Sequence, residues 1–236
     1  MDTPDNETGA EPGDNHAADG SGGLLQSIGK NALMLGAFAL LCTGFIAATY
    51  VGTSEKIAEQ QRQAKLRALY EIIPVANHDN DLLADNIAFQ EASLGHRKPQ
   101  RLYLAMQNNK PAALIYPGTA RDGYSGDIRF IVGIKLVDNS VAGVRVLEHR
   151  ETPGLGDAIE IRKSNWINGF VGRKLGAPPL AQWTVKKDGG VFDAFTGATI
   201  TPRALVKSVA SVLQYHEQQG AELARKMLQD RKLNGQ

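Results

Sequence analysis

The chain has 236 residues, 42% of them hydrophobic and 22% charged, which is room for one ordinary domain with attachments. Its net charge of +1 is a cancellation, because residues 1–30 carry six acidic side chains and only Lys30, whereas residues 55–236 hold 25 Lys and Arg against 19 Asp and Glu. The charge balance and the lack of a Lys/Arg stripe with interleaved aromatics exclude a strongly basic nucleic-acid binder, and the single cysteine, Cys42, excludes an internal disulfide, a Cys-ligated zinc site and an iron–sulfur cluster held by this chain alone.

Residues 1–23 are rich in Asp, Glu, Gly and Asn, without apolar periodicity, and read as disordered. Asn31 to Ser54 carries no charge. At ~1.5 Å per residue, about 20 apolar residues cross a ~30 Å hydrocarbon core, so this run is long enough to span a membrane. A buried core helix would show a polar stripe, and a signal peptide would have a basic start and a shorter core; an uncleaved anchor fits better than either. Lys56, Arg62, Lys65 and Arg67 follow the span and Lys30 alone precedes it, so the positive-inside rule places the C-terminal part in the cytoplasm. From Glu55 to Ile73 the pattern stays helical, and Pro74 ends it. Residues 77–100 read as a polar loop region with one short helix or strand.

From Arg101 the period changes to two. RLYLAMQ and AALIYPG flank Asn108-Asn109-Lys110, and DIRFIVGIKLV and VAGVRVLEH flank Asp138-Asn139-Ser140, which predicts two hairpins. Ser164–Phe170 reads as helical, Gln182–Lys186 as a short strand, and Asp188-Gly189-Gly190 as a turn. A strong helix is predicted from Pro202 to about Gln229, with Leu205, Val206, Val209, Val212 and Leu213 on one face, Thr201 as its N-cap and Pro202 at its first position. Strands joined by hairpins and closed by a helix predict an antiparallel α+β domain. Neither a GxGxxG nor a GxxxxGK[ST] loop occurs.

Two glycine-rich segments stand out: His149-Arg150-Glu151-Thr152-Pro153-Gly154-Leu155-Gly156-Asp157, and Asp193-Ala194-Phe195-Thr196-Gly197-Ala198-Thr199-Ile200-Thr201. In the second, Gly197 and Ala198 permit close approach, three hydroxyls (Thr196, Thr199, Thr201) cluster, and the free N–H groups of a helix start follow. Such a place suits a phosphate, although a plain helix-capping loop has the same composition.

DAFTGAT resembles the Dxx(S/T)GAT signature at which flavin transferases of the ApbE type attach FMN to threonine, through Asp193, Thr196, Gly197, Ala198 and Thr199. With HRETPGLGD and KSNWINGF in that order, the chain resembles the RnfG family of the Rnf electron-transport complex, and less closely the NqrC family of the sodium-pumping NADH:quinone reductase. The resemblance implies FMN esterified to Thr199, Asp193 and Thr196 serving transferase recognition or loop geometry, and Glu151, Thr152, Gly154 and Leu155 as the other wall of the flavin site. The chain is thus expected to divide into a disordered acidic tail at 1–30, a transmembrane helix at 31–54, a stalk and linker at 55–100 and an FMN-binding domain at 101–236, with the resemblance running from the membrane helix to the end of the C-terminal helix. His149 reads as a strand-end side chain, and Trp166 and Trp183 as core residues.

The family implies a bacterial inner-membrane protein with one span in lipid and a periplasmic C-terminal domain, against the charge count. It implies an electron carrier among other subunits of an ion-translocating ferredoxin/NAD complex, with no catalytic residue and no metal of its own. A membrane-tethered phosphate- or flavin-binding sensor, and a structural subunit with a vestigial flavin site, are the rival classes.

Overall fold

A computed structural model describes the chain from Gly20 to Leu233, with side chains from Ile28; of the residues 1–23 read as disordered, 1–19 lie outside the described residues and Gly20–Gly23 begin a helix. The chain divides into a unit of residues 1–60 and a unit of residues 61–236.

Helix α1 runs from Gly20 to Ile72. In the first unit its side chains from Ile28 onward, Leu33, Phe38, Leu41 and Phe45 among them, are exposed, and the helix is long and apolar enough to cross a membrane. Hydroxyls near its C-terminal side bond back to the helix: Thr49 donates to the Phe45 carbonyl at 2.8 Å and Thr53 to the Thr49 carbonyl at 2.7 Å. A spanning helix needs that arrangement, since lipid offers no partner.

The second unit is built on a five-stranded antiparallel meander, β1 (Asn86–Phe89), β2 (Gln100–Gln107), β3 (Lys110–Gly123), β4 (Gly126–Lys135) and β5 (Val141–Glu148), paired in chain order. Both predicted hairpins form. Asn108 and Asn109 take φ of 51° and 59°, the left-handed pair that a two-residue hairpin requires, and Asn139 takes 56° between β4 and β5. Alternate side chains go to opposite faces. Leu102, Leu104, Leu114 and Tyr116 meet helix α2 (Ile200–Leu233) through Leu205, Val209 and Val212, while Tyr103, Ala105, Ile115 and Ile131 meet Leu69, Ile72 and Ile73 at the end of α1. Gly133 lets that end approach, since a Cβ there would lie 2.3 Å from Ile72 Cγ2.

Two expectations are corrected. Gln182–Lys186 is not a strand. Leu180–Gln182 is a 3-10 turn, and Val185 makes one isolated bridge to Phe192. Trp183 and Val185 are buried, so the period-two burial is real, but Pro178-Pro179 and Gly189-Gly190 leave no length for a ladder. Helix α2 begins at Ile200 rather than Pro202, so Thr201 lies in its first turn. Its hydroxyl donates to Glu151 instead of capping α2.

His216 on α2 ties the two layers. Tyr116 Oη lies 2.9 Å from its Nδ1 and Asn139 Oδ1 lies 3.2 Å from its Nε2. The neutral ring satisfies both contacts, accepting from Tyr116 and donating to Asn139. Burial lowers the His216 pKa to about 4. Because the folded value lies below the unfolded one, stability is intact above the unfolded value of about 6.5 and falls as pH drops toward 4, by on the order of 3 kcal/mol. His96, which burial also lowers, acts in the same direction. The urea midpoint of the wild-type chain is therefore expected to fall more between pH 7 and pH 5 than that of His216→Gln; equal losses would show that His216 is not the group titrating.

Candidate functional site

The loop after β5 and the loop before α2 meet at the N-terminal end of α2. In the first, Leu155 N–H donates to the Thr152 carbonyl at 3.1 Å and Gly154 takes φ of 78°, a turn with Pro153 and Gly154 at its centre. Asp157, 5% exposed, accepts from Gly154 N–H at 2.8 Å and holds that turn inward. In the second, Ala198 N–H donates to the Phe195 carbonyl at 3.1 Å and Gly197 takes φ of 80°. A Cβ on Gly197 would lie 3.4 Å from Leu155 Cδ2, so the two loops touch there.

Beneath this contact lies Glu151, 4% exposed. Its Oε2 accepts from Thr201 Oγ1 at 2.5 Å and its Oε1 from Ser125 N–H at 3.0 Å. The Glu151 N–H donates to His149 Nδ1 at 3.0 Å, so His149 Nε2 carries the proton it shares with Glu160 Oε1 at 2.8 Å. The His149 hydrogen bond is the first cause holding the Glu160 carboxyl below its ordinary value. The strand-end histidine thus orients the Glu151 backbone.

Of the residues singled out from the sequence, Thr199 and Ala198 are half-buried, Thr196 and Gly197 exposed, and Thr201 fully buried. Thr152, Gly154 and Leu155 are exposed, whereas the Glu151 carboxylate points inward to Thr201 and Ser125. Asp193 is exposed and pairs with Lys186 at 2.6 Å, while its carbonyl accepts from Trp166 Nε1 at 2.8 Å. Trp166 stands edge-on to Phe195 at 5.0 Å and to Phe170 at 5.5 Å, so it fastens the threonine loop to the core. Trp183 is buried against Phe170 and Phe192. Sequence reasoning missed the Gly123–Gly126 turn between β3 and β4, which enters through a backbone amide that no side chain announces.

The chemistry offered is that of an anion site beside an apolar rim. The first turn of α2 leaves backbone N–H groups without helical partners and presents the positive end of its dipole. Thr199 sits immediately before that turn, and Leu155 and Ile200 are exposed next to it. Arg203, in the same turn, is held by Asp188 at 2.6 and 3.0 Å. Among the described residues no cluster of His, Cys, Asp or Glu could hold a metal ion. A phosphate group fits this donor set.

Gly156 is sterically bound to the same arrangement, because a Cβ there would lie 2.8 Å from Glu151 Oε2 and 2.9 Å from Thr201 Oγ1. Gly156→Ala is expected to cost about 1–3 kcal/mol by overpacking, read as a lower urea midpoint in the fluorescence of Trp166 and Trp183. An unchanged midpoint would mean the three segments are not packed this closely.

Residues 23–72 match the family model described as RnfG N-terminal region, and residues 123–214 match the FMN-binding domain. The G subunit of the ion-translocating oxidoreductase complex of Shewanella baltica is 47% identical over 195 residues, covering 82% of this chain and 92% of that protein. Its counterpart in Vibrio cholerae is 46% identical over 199 residues, covering 83% and 95%. Among solved structures, Shewanella oneidensis NqrC aligns with a TM-score of 0.40 at 22% identity, covering 56% of this chain and 67% of that one. With an apolar N-terminal helix, a five-stranded antiparallel sheet, an FMN-binding domain and near-full-length identity to these relatives, the chain belongs to the RnfG family, the G subunits of ion-translocating oxidoreductase complexes.

Proposed function

We propose that this chain is a membrane-anchored electron carrier that holds FMN through a phosphoester to Thr199, as one member of a complex that moves electrons between ferredoxin and NAD while translocating ions. The observation that carries this reading is the position of Thr199: half-buried, at the open end of a 34-residue helix, beside Gly197 at a positive φ and Leu155 across the gap.

When bound, FMN supplies one-electron redox chemistry; the polypeptide supplies position and electrostatics. The Thr199 oxygen anchors the phosphate, and the amides and dipole end of α2 stabilise its charge. Gly197 keeps the backbone open to the phosphate, and a side chain there would also be strained at its φ. Leu155 gives the ring an apolar neighbour. Asp193 and Thr196, both exposed, are open to recognition by a flavin transferase of the ApbE type. Residues 31–54 anchor the chain in bacterial inner-membrane lipid, and the folded unit of residues 61–236, which includes β1 and the end of α1, faces the periplasm. That orientation rests on the family and on the exported transferase, since the basic residues after the span favour the opposite.

The test is the intact mass of the chain after denaturation, purified from a host that has the transferase. A gain of FMN less one water supports the covalent carrier. An unmodified mass would remove that reading and leave a tethered domain that binds its ligand without a bond.

A further inference from the structure

Glu151 is a buried carboxylate with no ion pair to Lys or Arg among the described residues. Burying such a group is costly unless hydrogen bonds replace water, and apolar residues of similar size would serve the core as well or better. What the carboxylate does that an apolar side chain could not is join three segments distant in sequence. It takes the Ser125 amide from the Gly123–Gly126 turn and the Thr201 hydroxyl from the first turn of α2, and its own backbone belongs to the loop that carries Leu155. Room for it is kept by glycine at two places: a Cβ on Gly123 would lie 3.0 Å from Oε1, and one on Gly156 would lie 2.8 Å from Oε2. Its backbone is set independently, through the amide bonded to His149 and the imidazole bonded to Glu160.

Thr201 is two residues beyond Thr199 and fully buried. The bond to Glu151 therefore fixes the height and rotation of the first turn of α2, and with it the direction in which the Thr199 hydroxyl faces. We propose that Glu151, acting through Thr201, is a positioning residue for flavin attachment: it holds the Thr199 hydroxyl where an incoming phosphorus can be attacked. This rests on Thr199 being the attachment point. The step needs an activated donor, because condensing free FMN with a hydroxyl in water is uphill. With a flavin dinucleotide, the Thr199 oxygen forms the new bond to the FMN phosphorus, the pyrophosphate bond breaks, and AMP leaves with the charge while the hydroxyl proton goes to solvent. Misplacement of a reacting group by about 1 Å costs up to about 100-fold in rate, far more than the same shift costs in stability.

The experiment incubates the full detergent-solubilised chain with purified transferase and flavin dinucleotide, and follows mass gain with time per folded chain. The folded fraction comes from tryptophan fluorescence in urea. Glu151→Gln and Thr201→Val are expected to slow attachment by about tenfold or more, while Thr201→Ser, which keeps the hydroxyl, stays close to the wild-type rate. Glu151→Asp, which keeps the charge but shortens its reach, replaces any variant that does not fold and is expected to be slow as well. A merely structural role would lower the urea midpoint and leave the rate per folded chain unchanged, and that result overturns the proposal. A wild-type chain that gains no mass would instead overturn the reading of Thr199 itself.

Discussion

A Thr199→Ala chain produced beside the transferase emerges from denaturation with its unmodified mass and no bound flavin absorbance, while its urea midpoint stays within about 0.5 kcal/mol of wild type. The stability expectation follows from position: Thr199 is half-buried, in a loop before α2, and no side-chain hydrogen bond among the described residues depends on it. The flavin expectation follows from geometry around the neighbouring hydroxyls. Thr201 is fully buried and bonded to Glu151, so it is closed to a transferase. Thr196 is exposed, but it sits within the Phe195–Ala198 turn, four residues before α2 begins, whereas Thr199 adjoins the free amides. Thr196→Ala, which touches recognition rather than the attachment point, is accordingly expected to slow attachment without abolishing it, and Thr199→Ser to keep it, because a serine hydroxyl occupies the same place. Electron transfer through the assembled complex should be lost in Thr199→Ala and retained in Thr199→Ser. Normal turnover by the alanine variant would end the carrier reading and favour a structural role in the complex.

What the sequence made legible was whatever rests on local rules. Asn108-Asn109 between alternating apolar runs specified a hairpin, because few other residue pairs accept two successive positive φ angles. Pro74 and the helical spacing up to Ile73 marked the end of α1 within two residues. The threonine loop was visible through its glycine and hydroxyls, and its likeness to a flavin attachment signature gave it chemistry. What escaped was set by contacts between segments. Ser125 serves the site by its amide, which every residue but proline has, so its role is invisible until β3 and β4 are folded. Thr201 looked like a helix cap from its place beside Pro202, and the buried Glu151 carboxylate, fifty residues earlier, is the stronger partner. Trp183 and Val185 imitated a strand because both are buried, Trp183 in the aromatic cluster and Val185 beside its single bridge to Phe192, not because a neighbouring strand exists.

That aromatic cluster carries the largest expected loss of stability. Phe170 is fully buried, with its ring 4.6 Å from Phe192, 5.5 Å from Trp166 and 6.4 Å from Trp183, and Arg173 lies over the Phe192 ring at 5.0 Å. Phe170→Ala removes the member that touches the other three, and large-to-small changes of this kind cost about 3–5 kcal/mol. Against a total of about 5–15 kcal/mol, that is enough to unfold a substantial share of the chains at growth temperature. Trp166 also holds the Asp193 carbonyl and packs on Phe195, so its environment reports on the base of the threonine loop. Both tryptophans of the chain sit in this cluster, so their fluorescence reports on it directly. Phe170→Ala is expected to lower the urea midpoint, to make Trp166 more accessible to acrylamide, and to reduce flavin attachment only in proportion to the unfolded fraction. The contrast with Thr199→Ala separates the two functions of the domain: one substitution removes the flavin from an intact fold, and the other loosens the fold beneath an intact attachment point. A Phe170→Ala chain with a wild-type midpoint would show that the threonine loop is supported from elsewhere, and α2 with its Glu151 partner would then have to carry it alone.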